Sequence, residues 1–514
     1  MKGKFKNWSE RQMYIRTFFM LGSILLGLLV FCCVLRGVHD PDIYFMIASG
    51  KEWLSSGVIH QNVWCIDNEC SIIIQQWLYN ILTMWFNKWD FVGLFIFALI
   101  RLSLFFGLIW YFFSLRGTNK ILRVLSITII ILLLEYPIFS VRPELITIMF
   151  LLAECICLEK YRITEKIGWT ILLLPLMLLE INMHASMWPF HFAVLLAYIT
   201  PALELPMIKK DDLSSKWKPL SVIALCMGGI MFINPYGVEG VTYIIKSFTA
   251  HTFKIIPVIG ELQAPTFIDT TGLSIILLAM GLLGCMITKC AHSTTIYICF
   301  GFLLLSIFAI RNQMFLILGY LFMFRDLSDY LITVDYDWKQ DIKNSLSIIM
   351  IIGIIIISGK DISLAQKILT HTLTNIESYA EYDEICNEIL KDYSEDAHIF
   401  TGFNIGAYCE YRGLKNIYLD ARPELYTKEF TGNHNILLEY SKYCICGCNP
   451  TNPEDVITNE DRTKWFDEYS FDYVIVHIPS EIALNTYMQT RTDYTLIEEV
   501  STNEYALYKK GTGR

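Results

Sequence analysis

FVGLFIFALIRLSLFFGLIWYFF, residues 91–113, decides the class of fold. Its length falls within the ~17–25 residues a helix needs to cross a bilayer, and the runs Phe18–Leu35 and Ile121–Leu134 approach or reach the same range. Composition agrees: of 514 residues, 54% are hydrophobic and 18% charged, against about 25% charged in soluble domains. A soluble cytoplasmic enzyme is excluded.

Working outward, apolar runs predict about eleven spans, near 14–35, 91–113, 120–136, 143–158, 168–182, 187–203, 219–234, 271–288, 293–309, 312–324 and 344–358. The N-terminus carries Lys2, Lys4, Lys6, Arg11 and Arg16 and lacks a small-residue cleavage pattern, which reads as a retained first helix with a cytoplasmic start. The loops that this parity places inside are basic-rich: Arg116, Lys120 and Arg123; Lys160, Arg162 and Lys166; Lys209, Lys210, Lys216 and Lys218. Ser71–Trp85 is read as a short amphipathic helix at the outer surface, because counting it as a span would break the parity.

The formal net charge of −9 splits at Lys360. Residues 1–359 carry +3 and residues 360–514 carry −12. The expected architecture is a polytopic α-helical membrane protein: a transmembrane domain over 1–359, with outer loops at 37–90 and 235–270, and an extracytoplasmic α/β domain over 360–514. Helix-like residues 361–392 and strand-like runs at His398–Thr401, Asn416–Leu419, Tyr473–His477, Thr495–Val500 and Tyr505–Lys509 make up that tail. An acidic tail excludes nucleic acid as its partner.

Polar groups gather at the outer ends of the spans. His39-Asp40-Pro41-Asp42 follows span one, Arg142-Pro143-Glu144 opens span four, and Asn182-Met183-His184 closes span five. Asn234-Pro235-Tyr236-Gly237 closes span seven, Glu261 sits in the second outer loop, and Arg311-Asn312 opens span ten. Asp-Pro is a good helix start, so Asp40 or Asp42 has capping as an alternative role. Taken together, carboxylates with two arginines suit a phosphate-bearing substrate whose reaction needs a general base.

HDPDIYFMIASGKEWLSSGVIH (39–60), QQWLYNILTMW (75–85), the outer Arg-Pro-Glu and NMHAS (182–186) resemble the GT-C glycosyltransferases, multi-spanning enzymes that use polyprenyl-phosphate-linked sugars. Protein O-mannosyltransferases and aminoarabinose transferases share that architecture. The resemblance extends to Glu261–Pro265, Arg311-Asn312, Asn404–Tyr408 and Ile417–Arg422. It implies that Asp42 is the catalytic base, with Asp40 as the alternate. Arg142, His184, Arg311, Glu261 and Asn182 become candidates for binding the donor phosphate or substrate. Many relatives carry Asp-Glu where this chain has Asp42-Ile43, so a second carboxylate would have to come from Asp40. The implied activity is inverting transfer of a sugar from a lipid-linked donor to an extracytoplasmic glycan, lipid or protein acceptor. A divalent cation, Mg²⁺ or Mn²⁺, would sit on Asp40 and Asp42. The rival readings are a lipid-linked glycan ligase or polymerase, a non-catalytic envelope scaffold, and a transporter or flippase of lipid-linked sugars. The transporter requires ionisable groups at mid-span, and Glu135, Glu154 and Glu180 are the nearest, towards span ends.

Of 15 cysteines, seven fall outside the membrane: Cys65, Cys70, Cys386, Cys409, Cys444, Cys446 and Cys448. Cys444, Cys446 and Cys448 lack the second ligand pair of a structural zinc site. Gly402–Gly406 lacks the third glycine of a nucleotide-binding turn.

Overall fold

The computed structural model describes residues 40–66, 71–118, 120–211, 213–249, 260–266, 270–333, 379–427, 435–445 and 457–511, with helical positions 27, 30, 31, 33–35, 37 and 38. Most of the expected first span, the whole span at 344–358, the boundary at 359, and His39, Cys70, Cys446 and Cys448 lie outside the described residues.

In chain order the membrane-domain helices are α1 (Asp42–Ser56), α2 (Trp77–Asn87), α3 (Asp90–Ser114), α4 (Lys120–Leu133), α5 (Glu135–Phe139), α6 (Glu144–Thr164) and α7 (Gly168–Ile171). They continue with α8 (Leu173–Met183), α9 (Pro189–Ile199), α10 (Trp217–Ile230), α11 (Val238–Thr249), α12 (Thr270–Ile287), α13 (Ser293–Phe308) and α14 (Leu316–Thr333). Among the described residues, α3 and α12 are each long and apolar enough to cross a bilayer unaided. The bundle wears its apolar residues outside as well as inside: Leu104, Leu225, Met280, Leu283 and Phe300 are exposed, Leu225 by 77%. Exposed apolar residues in this number are costly in water and cost nothing in lipid.

Three expectations shift. Ser71–Trp85 is not one helix, because residues 71–76 run non-helically before α2 begins at Trp77. The tenth span opens with a 3₁₀ turn, Ile310–Phe315, and α14 then continues past 324 to Thr333, where the buried Arg325 and Asp326 find partners. Glu154, expected near a span end, falls midway along α6, which continues to Thr164 because Arg162 pairs with Glu159 one turn back.

The tail is a four-stranded sheet, β1 (Ile399–Phe400), β2 (Tyr473–His477), β3 (Tyr494–Leu496) and β4 (Tyr505–Lys510), in the order β1-β2-β4-β3. β1 and β2 are parallel, and β4 is antiparallel to both of its neighbours. Tyr473, Val474, Ile475 and Val476 are all buried, so this apolar run is a central strand covered on both faces. Helices α15 (Phe403–Tyr411), α16 (Ile436–Tyr440), α17 (Asn459–Tyr469) and α18 (Ile482–Met488) accompany the sheet. The expected strand at 416–419 reduces to bridges at Ile417, but those bridges join the two domains. Ile417 pairs with Ile399 on one side and with Cys65 of the first outer loop on the other. Ile66 N–H donates to Ile417 O at 3.0 Å, and Ile417 N–H donates to Trp64 O at 2.9 Å. Gly406 of α15 approaches so closely that a Cβ there would lie 2.0 Å from Leu419 O, so this glycine serves packing.

Candidate active site

Between the outer helix ends and the tail sheet lies a cavity of about 810 Å³. Asp42, Arg142, Glu144, His184, Glu261 and Arg311 line its membrane side, and Asn404, Arg422, Tyr440, His477 and Glu481 line its tail side.

The local fold sets Asp40 and Asp42 apart. Pro41 takes helical angles as the N-cap of α1, and Asp40 Oδ1 accepts the Asp42 N–H at 3.1 Å. Asp40 therefore does the capping work, buried, and also accepts from Ser140 Oγ at 2.9 Å. Asp42, the first residue of α1, faces the cavity with 23% of its side chain exposed.

Both carboxylates converge on Arg142. Its Nε donates to Asp40 Oδ2 at 2.9 Å, its Nη2 lies 3.1 Å from Asp42 Oδ2, and its Nη1 donates to Glu261 Oε1 at 3.0 Å. Burial pushes the Asp42 carboxyl up to about 8; Arg142 pulls it down, and Asp40, Glu261 and Glu144 push it up. Among the described residues Asp40, Asp42 and Glu261 share the Arg142 guanidinium, and their mutual repulsion adds to the push on Asp42.

Arg142 is itself held from behind by two residues that the sequence did not single out. Arg101 Nη2 donates to Arg142 O at 2.8 Å and to Ser140 O at 3.0 Å, and Tyr79 O–H donates to Arg142 O at 3.2 Å. The available signal was the lone charge in the run 91–113, since a buried arginine in a span needs partners. On the tail side, Glu481 was missed as well. It accepts from Tyr440 O–H at 2.6 Å and from His477 N–H at 2.8 Å, and burial pushes it up to about 7.

The remaining candidates divide. Glu261 sits in the 3₁₀ turn Gly260–Leu262, tied to the Arg311 segment because Ile310 N–H donates to Gln263 O at 2.9 Å. Arg311 is 43% exposed and lies 3.8 Å from Glu144 Oε1, a loose contact that leaves it reachable from the cavity. His184 lines the cavity, with Nδ1 2.8 Å from Thr147 Oγ1. Asn182 is placed otherwise: its Oδ1 accepts from Trp77 Nε1 at 3.0 Å and its Nδ2 donates to Leu178 O and Ile233 O, a tie between helices outside the cavity lining.

Asp40 and Asp42 close around the Arg142 guanidinium. Among the described residues, two groups bring three ligand atoms within 4.8 Å of one another: Cys65, Glu410 and Asp420, and His292, Asp326 and Asp329. Each already holds an arginine. Arg422 Nη2 is 2.5 Å from both Glu410 and Asp420, and Arg116 Nη1 is 3.2 Å from both His292 Nε2 and Asp329 Oδ2.

No family model and no curated protein matches the sequence. Solved structures do match. The chain superposes on ArnT from Cupriavidus metallidurans in the apo state with a TM-score of 0.50 and 10% identity, over 96% of this chain and 98% of that one. It superposes on the Archaeoglobus fulgidus oligosaccharyltransferase, solved tethered to an acceptor peptide containing the NVT sequon, with a TM-score of 0.52 and 9% identity. That match covers 95% of this chain and 74% of the other. The chain shares the fold of these two proteins. It is a polytopic helical membrane fold, and among the described residues a four-stranded sheet lies toward the C-terminal end.

Proposed function

We propose that this chain is a membrane glycosyltransferase that moves a sugar from a polyprenyl-phosphate donor to an acceptor hydroxyl on the extracytoplasmic side. The observation that carries the reading is the cavity where Asp42, Arg142, Glu261 and Arg311 face the tail domain. ArnT and the oligosaccharyltransferase, whose fold the chain shares, support the reading by analogy of architecture.

The chemistry follows from the groups present. The acceptor oxygen attacks the anomeric carbon, Asp42 takes the hydroxyl proton, and the bond from that carbon to the phosphate oxygen breaks with inversion. Arg311, the exposed cation, meets the leaving phosphate, and Arg142 adds positive potential while holding Asp42 in place. A divalent cation on Asp40 and Asp42 would need Arg142 to withdraw, so the geometry favours arginine in that role.

A cavity of about 810 Å³ suits one sugar phosphate and part of an acceptor better than an assembled glycan. The transporter reading asks for mid-span ionisable groups that face a path. Glu154 and His191 are at that depth, but they are fully buried against each other and do not line the cavity.

The test is transfer from a radiolabelled polyprenyl-phosphate sugar in membrane vesicles. Asp42→Asn is expected to abolish transfer and Asp40→Asn to weaken it. Full transfer by Asp42→Asn with loss in Asp40→Asn would reverse the assignment of the base. Full transfer by both variants would sink the first-loop mechanism.

A further inference from the structure

Behind the cavity runs a chain of buried polar side chains that the transfer step above does not use. His184 Nδ1 lies 2.8 Å from Thr147 Oγ1, and that hydroxyl donates to Glu180 Oε1 at 2.6 Å. Glu180 Oε2 is 3.7 Å from His191 Nε2, and His191 Nδ1 is 2.6 Å from Glu154 Oε2. Thr147 and Glu154 come from α6, Glu180 from α8 and His191 from α9, and all four are 0% exposed; His184, at the cavity wall, is 4% exposed. Glu154 stands about 15 Å deeper along α6 than Glu144, at the helical rise of 1.5 Å per residue.

Five polar groups in a dry helix bundle cost stability that apolar side chains would not, so their order needs a reason. Interhelical glue would explain their presence, but not a polarity that runs one way to the cavity. That polarity follows from counting protons. The Thr147 hydroxyl has one hydrogen and gives it to Glu180 Oε1. The hydroxyl therefore turns a lone pair toward His184, and His184 Nδ1 must carry the hydrogen of that bond. His191 Nδ1 pairs with Glu154, and its Nε2 stands 3.7 Å from Glu180 Oε2, beyond hydrogen-bond reach. A neutral imidazole with hydrogen on Nδ1 has a bare lone pair on Nε2, which has no hydrogen-bond partner among the described residues.

We propose that Thr147 and Glu180 are positioning residues that fix His184 in its Nδ1–H form, so that Nε2 accepts a hydrogen bond from a substrate hydroxyl in the cavity. This rests on the glycosyltransferase reading only for the source of the hydroxyl, which is either the donor sugar or the acceptor. A phosphate oxygen is the wrong ligand for Nε2, since two acceptors face each other there. The role is therefore distinct from that of Arg311.

Two readouts test it. The first is ¹⁵N solid-state NMR of the full-length, histidine-labelled protein in bilayers, with the His184 signals assigned by their loss in His184→Gln. The expected result is a protonated Nδ1 and a bare Nε2 in the native protein and in Thr147→Ser, with hydrogen appearing on Nε2 in Thr147→Val. A protonated Nε2 in the native protein, or no change in Thr147→Val, overturns the proposal whether or not the protein transfers sugar. The second readout is transfer kinetics. Thr147→Val is expected to raise one substrate KM about tenfold, as loss of one aligned hydrogen bond does, with a smaller effect on kcat and with recovery in Thr147→Ser. A raised donor KM assigns the hydroxyl to the sugar, and a raised acceptor KM assigns it to the acceptor. Equal losses in Thr147→Val and Thr147→Ser would reduce the chain to packing and overturn the proposal.

Discussion

Helix α6 has an ion cluster at each end, and the two follow opposite plans. At its C-terminal end, Arg116, Arg162 and Arg325 interlock with Glu159, Asp211, Asp326 and Asp329. His292 Nδ1 lies 2.9 Å from Asp326 Oδ1, and its Nε2 faces Arg116 at 3.2 Å. Arg325 is 1% exposed, with Nη1 2.8 Å from Glu159 and its guanidinium 4.4 Å from the Phe322 ring centroid. At the N-terminal end, among the described residues, Arg142 meets Asp40, Asp42 and Glu261 beside a cavity. A cluster of three arginines and four carboxylates built around the buried Arg325 fastens helices together. A carboxylate cluster that lines a cavity is placed to meet a ligand or give up a proton, and perturbed titration there marks function.

The sharpest way to break this contrast is to remove one arginine from each cluster. Arg325→Met leaves Glu159 and Asp326 buried with less compensation and is expected to cost about 3–5 kcal/mol, read as a collapse of thermal stability in detergent. Arg142→Met should leave the melting transition nearly in place, because its partners relax toward water or take up a proton. Equal destabilisation by the two would erase the distinction between fastening and function.

Activity should sort the clusters the other way. Arg142→Lys keeps the charge but loses the planar fork that reaches Asp40, Asp42 and Glu261 together, and transfer is expected to fall about 10²–10³-fold. Lys reaching native kcat/KM would mean that charge alone suffices there.

The pH profile sharpens the comparison further. A carboxyl raised to about 8 is protonated at neutral pH and must lose that proton to act as a base. In the free protein, kcat/KM should therefore climb about tenfold per pH unit and level off above ~8, leaving roughly a hundredfold deficit at pH 6. A limb centred near 4 would mean that Arg142 outweighs burial at Asp42.

Much of this was legible in the sequence, for identifiable reasons. The run 91–113 maps onto α3 and Tyr473–His477 onto β2, because apolar length and β-branched character act locally. Asp42, Arg142, His184, Glu261 and Arg311 share one cavity because each sits where a span ends and the chain must turn. What escaped was pairing across the bundle. Nothing around Arg101 in sequence points to Arg142, and nothing around Thr147 points to His184; such contacts exist only after helices pack. The bridge from Cys65 to Ile417 is hidden for the same reason, since its partners are hundreds of positions apart.

The smallest expected effect tests whether the open cluster depends on hidden support. Arg142 O accepts two hydrogen bonds, a short one of 2.8 Å from Arg101 and a longer one of 3.2 Å from Tyr79. Tyr79 is 0% exposed and packs against Phe97, so Tyr79→Phe keeps the packing and removes only the longer bond. A net hydrogen bond is worth about 0.5–1.5 kcal/mol, which bounds the loss in transfer at roughly twofold to tenfold. Arg101→Met removes the shorter bond and the one to Ser140, and should cost more. If Arg101 and Tyr79 act on the same carbonyl, the double variant will depart from the product of the single effects, because each bond restrains the strand that the other also restrains. Strict multiplicativity would mean that the two residues stabilise separate parts of the bundle, and that Arg142 owes its aim to its carboxylates alone.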